Sequence, residues 1–178
     1  LAEAIVTLPL TRKEYAQRTA RLAMDALGSF ERVATADADR RALATSQAVL
    51  LFFPGPGKES SMLDRAALDP WSNFVDLAAP VAGFREVVVV AADQYPPFST
   101  FGVLCHEFGH LLGLPELYAP GAAMHEGIGK WGLMGQGTWV EKGTQPPHLD
   151  AWSKLRLGWV DAVTIDRTTP AVRVPSVL

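Results

Sequence analysis

An α+β fold of α/β-like character is predicted by three features of the sequence. Two apolar runs of strand length, Ala48 to Phe53 and Phe84 to Ala92, predict strands of a sheet. The second run is dominated by valine, which is typical of a strand buried on both faces. Segments with helical spacing surround these runs, so we expect helices packed on a sheet in one domain over residues 1–165. Residues 166–178 are expected to form a tail or the start of a following module.

The first half of the chain contains two predicted helices and one predicted loop. Thr11 and Glu14 have capping-box spacing, and the helix that they begin is expected to end at Gly28. The stretch from Asp37 to Gln47 predicts a weaker helix. The stretch from Lys58 to Pro80 is expected to be mainly loop.

The second half contains two further predicted helices. The first is expected to begin at Thr100 as N-cap and to end at Gly113. Its core-facing side is expected to consist of large apolar residues: Phe101, Leu104, Phe108, Leu111 and Leu112. After a glycine-rich irregular segment, a final helix is expected to begin at Pro146 and to end at Gly158. Residues 159–165 are predicted as a strand, and four tryptophans are expected in the core: Trp131, Trp139, Trp152 and Trp159.

The composition excludes several classes of function. The chain has 178 residues, 48% of them hydrophobic, and a formal net charge of -3, as is ordinary for a globular domain. A mildly acidic chain lacks the basic surface that nucleic-acid binding needs. No apolar run reaches the roughly 18–20 residues that span a bilayer. No nucleic-acid partner and no membrane span are therefore expected, and the chain is expected to be a monomer.

Residues 106–110 read H-E-x-x-H and are predicted to lie on a helix. Residues four apart face the same side of a helix, so His106 and His110 can direct imidazole nitrogens to one metal ion. Glu107 follows the first of them and can reach a water on that metal without binding the metal itself. This arrangement predicts a zinc hydrolase in which Glu107 is the general base.

Catalytic zinc usually takes a third protein ligand, and Glu116 is the predicted one. It lies six residues after His110, and Gly113 between them allows the chain to turn back toward the metal. Four other side chains remain as alternatives for this place: His125, Glu126, His148 and Asp150. The single cysteine, Cys105, points away around the helix and is expected to be a small buried hydrophobe, and Tyr118 is assigned no role.

Four stretches, taken in order, carry a resemblance to a known family. They are FPGPGKES from Phe53, HEFGHLLGLPELY from His106, GKWGLMGQGTW from Gly129 and PHLDAWSKLRLGWV from Pro147. Their order and spacing resemble those of the immune inhibitor A family of secreted bacterial zinc metallopeptidases. Met134, in the third stretch, then corresponds to the methionine of the Met-turn, the tight bend beneath the metal of metzincins.

The resemblance implies a metzincin-like zincin fold: a twisted mixed sheet, mostly parallel, over an active-site helix, with a C-terminal helix. It implies an endopeptidase that hydrolyses peptide bonds in proteins, and secretion as a precursor. It also implies one catalytic Zn²⁺ and allows for bound Ca²⁺. Two positions depart from the family pattern. Glu116 stands where the family usually has Asp, and Gln136 stands where some metzincins have a tyrosine that reaches the zinc.

Two other functions stay open from the sequence. One is a different zinc hydrolase, such as an aminopeptidase, which would need carboxylates for the substrate's amino terminus; Glu126 and Glu141 are candidates. The other is a latent or non-catalytic zinc-binding module. The intact Glu107 favours catalysis, because a purely structural zinc site normally fills all four positions with protein ligands.

Overall fold

A computed structural model of the chain describes residues 5–34, 37–61, 68–119, 125–168 and 171–173. Within these ranges, three strands form one mixed sheet, with α-helices on both of its faces. The strands are β1 (Leu50–Pro56), β2 (Asn73–Val81) and β3 (Phe84–Asp93). The α-helices are α1 (Arg12–Tyr15), α2 (Thr19–Val33), α3 (Asp37–Thr45), α4 (Thr100–Leu111) and α5 (Ala151–Arg156). The described residues also include 3₁₀ segments at Lys58–Ser60, Gly129–Trp131 and Gln136–Gly143, the last of which is kinked at residues 140–142.

Strand β3 lies at the centre of the sheet, and the strand order is β1-β3-β2. It pairs in parallel with β1 and antiparallel with β2, so that Val88 lies opposite both Leu50 and Phe74. The residues from Val87 to Ala91 are at most 1% exposed. The two predicted strands are therefore confirmed, and so is the burial of the second on both faces.

The two faces of β3 pack against different helices. Val87 and Val89 belong to a core cluster with Leu22 and Leu27 of α2. Val88 and Val90, on the other face, belong to a second cluster with Val103 of α4. Leu104 and Leu111 of α4 are partly buried against this cluster. Because side chains alternate across a strand, the valine run supplies both contacts at once. The result is three layers, with α2, the sheet and α4 stacked in that order.

Strand β2 is a correction, because residues 58–80 were expected to be mainly loop. Val75 and Leu77 are buried while Asp76 between them is exposed, which is the alternation of a strand with one covered face. The turn to β3 is made by Ala82 and Gly83, with φ values of 51° and 86°. A two-residue hairpin turn of type I′ requires positive φ at both central positions. The sequence Ala-Gly is a weak signal for such a turn. Pro80 also argued against a strand, because proline is rare in the interior of a sheet.

The N-terminal helix prediction is partly wrong. The capping interaction at its start is present, since the backbone N–H of Thr11 donates to Glu14 Oε2 at 2.8 Å. The helix then breaks at Gln17, whose φ is 62°, and resumes as α2. Helix α2 also continues through Gly28 to Val33 instead of ending there. Glycine in a helix interior costs only about 1 kcal/mol, and packing of α2 on the sheet outweighs that cost.

Helix α4 presents a different face to the core from the predicted one. Its N-cap is Ser99, whose Oγ accepts the N–H of Phe101 at 3.2 Å, one residue before the predicted Thr100. Three of the residues expected in the core are exposed: Phe101, Phe108 and Leu112. The buried face instead consists of small and functional residues: Gly102, Val103, His106, Glu107 and Gly109. Small residues allow the backbone of another segment to approach closely. The prediction was wrong because it placed the largest apolar side chains of the helix in the core.

The C-terminal part also departs from the predictions. The final helix, α5, begins at Ala151 with Asp150 as its N-cap, later than the predicted Pro146. It ends as predicted, with Gly158 at a φ of 69° just beyond it. No strand forms over 159–165, and three tryptophans expected in the core are substantially exposed: Trp131, Trp152 and Trp159. In the parts of the chain described above, no helix has the length and apolar character needed to cross a membrane.

A polar network fixes the loop that leads into β2. Ser72 Oγ and Gln94 Nε2 both donate to Glu59 Oε1, at 2.6 and 2.7 Å. The N–H of Ala91 on β3 donates to Ser72 Oγ at 3.0 Å. Ser72 and Gln94 are buried, so their hydrogen bonds are costly to break. The start of β2 is therefore held firmly against the centre of the sheet.

Candidate metal centre

Three side chains converge beside the C-terminal half of α4. His106 Nε2 and His110 Nε2 lie 3.2 Å apart. Glu116 reaches both imidazoles, with Oε2 at 3.2 Å from His106 Nε2 and Oε1 at 3.3 Å from His110 Nε2. These are the three side chains that the sequence predicted as metal ligands. In the described part of the chain they form the only group of three His, Cys, Asp or Glu side chains with metal-binding spacing.

Gly113 turns the chain so that Glu116 can return to the helix. Its φ is 86°, and its N–H donates to the carbonyl of His110 at 2.8 Å. The N–H of Leu114 donates to the carbonyl of Gly109 at 3.1 Å. This pair of hydrogen bonds is the Schellman motif, in which a left-handed residue ends a helix and reverses the chain. The spacing of His110, Gly113 and Glu116 thus has a local structural cause.

The outer nitrogens of both imidazoles are held by backbone carbonyls. His106 Nδ1 lies 2.9 Å from Leu133 O, and His110 Nδ1 lies 2.8 Å from Leu114 O. A carbonyl can only accept, so each Nδ1 carries the proton and donates it. In the neutral tautomer the two Nε2 atoms then carry lone pairs that face each other. Hydrogen bonds of this kind orient the histidine ligands of metal sites.

The donor set fits a zinc ion. Zinc bonds to nitrogen and oxygen of about 2.0–2.1 Å in a tetrahedron separate the donor atoms by about 3.3 Å. The two Nε2 atoms lie 3.2 Å apart, and each lies 3.2 or 3.3 Å from a different oxygen of Glu116. Glu116 Oε2 is buried without a hydrogen-bond donor, and a cation would satisfy it. Two imidazoles and one carboxylate are also a set that catalytic zinc takes, leaving one position open.

The charges of the site favour a cation between the three donors. Burial would raise the pKa of Glu116, but the nearby imidazoles of His106 and His110 outweigh it and lower this pKa to about 2. Burial would lower the pKa of both histidines, and Glu116 outweighs that effect and raises the pKa of each above its ordinary value. Tyr118 OH donates to Glu116 Oε1 at 2.8 Å. A proton or a metal ion can therefore occupy the space between the donors, and the two compete.

Glu107 lies next to the donor set but points to the sheet. Its Oε2 accepts the backbone N–H of Phe74, at the start of β2, at 2.6 Å. Only 7% of the residue is exposed. Burial raises the pKa of Glu107 to about 7, against the opposing effects of the His106 charge and the Phe74 N–H. A carboxylate with such a pKa can both accept and release a proton near neutral pH.

Met134 packs directly beneath the helix that carries the histidines. It is fully buried and forms a cluster with Leu114, Leu133 and Leu149. It lies within the turn from Gly132 to Gly135, which a 3.0 Å backbone hydrogen bond closes. A side chain at Gly109 would overlap the Met134 sulfur. The close approach of this turn to α4 therefore depends on glycine at position 109.

Replacing Gly109 with alanine is expected to lower the free energy of unfolding by about 1–3 kcal/mol, because the added methyl overpacks the Met134 contact. The same clash should weaken zinc binding, since Gly109 lies between the two histidines. Thermal unfolding and a zinc titration measure the two effects. Gly28→Ala is the matched control: its methyl makes only an ordinary contact in α2, 3.5 Å from Arg32, and should stabilise the helix. Equal stability of both variants would contradict the packing argument.

Several residues at the site carried no usable signal in the sequence. Two of them act through backbone carbonyls, at Leu133 and Leu114, and any residue type can supply a carbonyl. Thr138 Oγ1 lies 3.1 Å from His106 Nδ1 and donates to Leu133 O at 3.2 Å. Phe74 contributes its backbone N–H from a strand that was not predicted. Tyr118, assigned no role from the sequence, orients Glu116.

Two of the alternative third ligands have other partners. Asp150 caps α5, accepting the N–H and the hydroxyl of Ser153 at 3.1 and 2.5 Å. His125 Nδ1 accepts the N–H of Gly127 at 3.0 Å. Glu126 and His148 do not join the three-residue cluster either. Cys105 is partly buried against the Met134 cluster, and burial raises the pKa of its thiol, in keeping with a hydrophobic role.

Comparison with known proteins places this geometry in context. Residues 82–160 match the sequence profile described as "Immune inhibitor A peptidase M6, catalytic domain". The chain is 41% identical over 56 residues to the pre-pro-metalloprotease PrtV of Vibrio cholerae, covering 30% of this chain and 6% of that protein. It is 35% identical over 80 residues to immune inhibitor A of Bacillus thuringiensis subsp. alesti, covering 40% of this chain and 12% of that protein. No solved structure matches the chain.

The chain thus spans only a small part of the length of these relatives. The matching segment nevertheless contains β3, α4, the three clustered side chains, Glu107 and Met134. The resemblance predicted from the sequence is confirmed. Residues 82–160 are therefore similar to the catalytic domain of the immune inhibitor A metallopeptidases, over less than half of this chain.

Proposed function

We propose that this protein is a zinc-dependent endopeptidase, in which His106, His110 and Glu116 hold one zinc ion and Glu107 is the general base. One observation carries the proposal. One ligand atom from each of two imidazoles and a carboxylate lies within 4.8 Å of the other two, beside the buried carboxylate of Glu107. Zinc held there would polarise the scissile carbonyl and lower the pKa of a water to about 7.

Glu107 is suited to move the proton in this reaction. It would accept a proton from the attacking water and deliver it to the departing amine. Phe74 N–H holds its Oε2, which leaves Oε1 to take part in proton transfer. The buried setting that brings its pKa to about 7 lets the same group act as base and then as acid.

The free edge of β2 supports a peptide substrate bound in extended form. β2 pairs with β3 on one side only among the described strands. An extended peptide can add to such an edge through backbone hydrogen bonds. Phe74 belongs to this edge and contacts Glu107, so a peptide along β2 would pass the proposed base. An open edge accepts the middle of a chain as readily as its end, which favours an endopeptidase over an aminopeptidase.

Further features of the proposal follow from the family match. We propose a metzincin-like domain over residues 1–165, with the turn at Met134 as its Met-turn and residues 166–178 as a tail or the start of another module. The burial of Met134 under α4 supports this role for the turn. Secretion and bound Ca²⁺ remain predictions from the resemblance, and a monomeric state remains a prediction from the sequence.

Removal of the metal tests the proposed function. Dialysis against a chelator should abolish cleavage of an unstructured protein such as casein, and one equivalent of Zn²⁺ per chain should restore it. Magnesium should not restore cleavage, because it prefers oxygen ligands in octahedral geometry. Cleavage that persists after complete zinc removal, checked by metal analysis, would contradict the proposal.

A further inference from the structure

A cavity of about 560 Å³ lies along the edge of β2. Residues 73–76 of the strand line it, together with residues 17–20 before and within the first turn of α2, Lys58 and Trp71. Successive side chains of a strand point to opposite faces. Four consecutive strand residues can line one cavity only where the backbone edge itself faces it. The cavity therefore opens on the edge where we propose that substrate binds.

This cavity is a direct neighbour of the candidate metal centre. Phe74 lines the cavity, and its N–H donates to Glu107 Oε2 at 2.6 Å. The ring of Phe74 lies 6.3 Å from the ring of His110, between centroids. Asp76, at the other end of the lining, is two residues along the strand, or about 7 Å at the usual rise per residue. A peptide bound along β2 would place side chains one to three positions from its scissile bond over this cavity.

The charged residues that line the cavity leave it positive. Arg18 and Lys58 make no ion pair within the described residues. Asp76, the lining carboxylate, is neutralised by Arg85, whose Nε lies 2.6 Å from Asp76 Oδ1. The Lys58 ammonium lies 5.5 Å from the centre of the half-exposed Trp71 ring. The Arg18 charge also acts on the Glu14 carboxylate, outside the cavity lining. The cavity thus combines two cations that have no ion-pair partner in its lining with an apolar indole surface.

Hydrogen bonds hold the segments that carry the two cations and the indole. The N–H of Lys58 donates to Pro70 O at 3.0 Å, and Thr19 Oγ1 donates to Trp71 O at 3.2 Å. The adjoining Glu59 accepts the N–H of Ser72 at 3.1 Å. The backbones that carry the cations and the indole are therefore fixed relative to β2.

We propose that this cavity binds an acidic side chain of the peptide substrate, so that the enzyme prefers Asp or Glu one to three positions from the scissile bond. The inference rests on the proposed peptidase function and adds its substrate class. A carboxylate would pair with Arg18 and Lys58, and the methylene groups of a glutamate would pack on Trp71. Partly exposed ion pairs of this kind are individually modest, up to about fivefold each.

Internally quenched peptides that differ at one position test the preference. Each peptide carries Glu, Gln or Lys at one of the three positions on either side of a common cleavage site. The zinc-loaded full chain should cleave the Glu peptide about tenfold better in kcat/KM than the Gln peptide at one of these positions. The double variant R18Q/K58Q should reduce that ratio to near one, and Lys58→Glu should favour the Lys peptide. Arg41→Gln removes the same charge from α3, outside the cavity lining, and should leave the ratio unchanged.

A binding measurement separates this inference from the proposed function. Fluorescein-labelled Glu and Gln peptides are titrated with the zinc-loaded Glu107→Gln protein, which should not cleave them. Tighter binding of the Glu peptide, lost in the R18Q/K58Q background and weakened by salt, would support the acidic subsite. Equal binding and cleavage of the Glu and Gln peptides by an enzyme that needs Glu107 would overturn the subsite alone. Absence of zinc-dependent cleavage of every peptide would instead count against the peptidase function.

Discussion

Replacing Glu107 with glutamine is expected to reduce peptide cleavage by about 10²–10⁴-fold, the range that general acid–base catalysis contributes. Glutamine keeps the length of the side chain, and its amide oxygen can still accept the Phe74 N–H that holds Glu107 at 2.6 Å. It cannot accept a proton from water at neutral pH. The fold and the metal content should therefore stay close to those of the wild type while kcat falls.

Both kcat and the zinc content are measured on the same preparation of each variant. Glu126→Gln is a suitable control, because Glu126 is an exposed carboxylate outside the cluster of three donors. Its kcat should match that of the wild type. A Glu107→Gln protein that retains zinc and cleaves at the wild-type rate would exclude Glu107 as the base. A variant that loses its zinc would instead place Glu107 among the ligands.

Replacing Glu116 with alanine is expected to weaken zinc binding by more than about 100-fold. Loss of an outer-shell partner alone costs roughly 10–100-fold, and Glu116 approaches both imidazoles directly, at 3.2 and 3.3 Å. Aspartate at this position should retain zinc, since it keeps the carboxylate and is the residue usual in the family. His110→Ala should lose the metal as fully as Glu116→Ala does.

Tyr118→Phe provides a graded comparison for the Glu116 series. It removes only the hydroxyl that donates to Glu116 Oε1, so zinc affinity should fall by about 10–100-fold. Competition for zinc with a chromophoric chelator at fixed pH ranks the variants by their zinc affinity. Wild-type affinity in Glu116→Ala would show that another group completes the site.

The clustering of His106, His110 and Glu116 was predictable because its geometry is local. Two histidines four apart on a helix must share a face, and a glycine three residues later permits the Schellman turn that returns Glu116. These contacts depend on a few consecutive residues, so the sequence pattern contains the information. The central strand was predictable for a similar reason, since a run of valines suits few other environments.

The parts that could not be predicted depend on partners distant in sequence. Which face of α4 is buried depends on the close approach of Thr138 and Met134, and this favours Gly102 and Gly109 over the larger Phe101 and Phe108. β2 was missed because its alternation is short and contains a proline, which is tolerated at a sheet edge. The contact between Glu107 and the backbone of β2 then had no basis in the sequence.

The three donors lie within eleven consecutive positions, from His106 to Glu116, and this has a consequence for chain entropy. Loop-closure cost rises with the logarithm of loop length, so bringing Glu116 back to His110 restricts few degrees of freedom. The hydrogen bond that holds Glu107 spans 33 positions, to Phe74. The three proposed metal donors therefore lie on one helix and its terminal turn, with the carbonyl that orients His106 supplied by Leu133, whereas correct placement of the proposed base needs the assembled sheet.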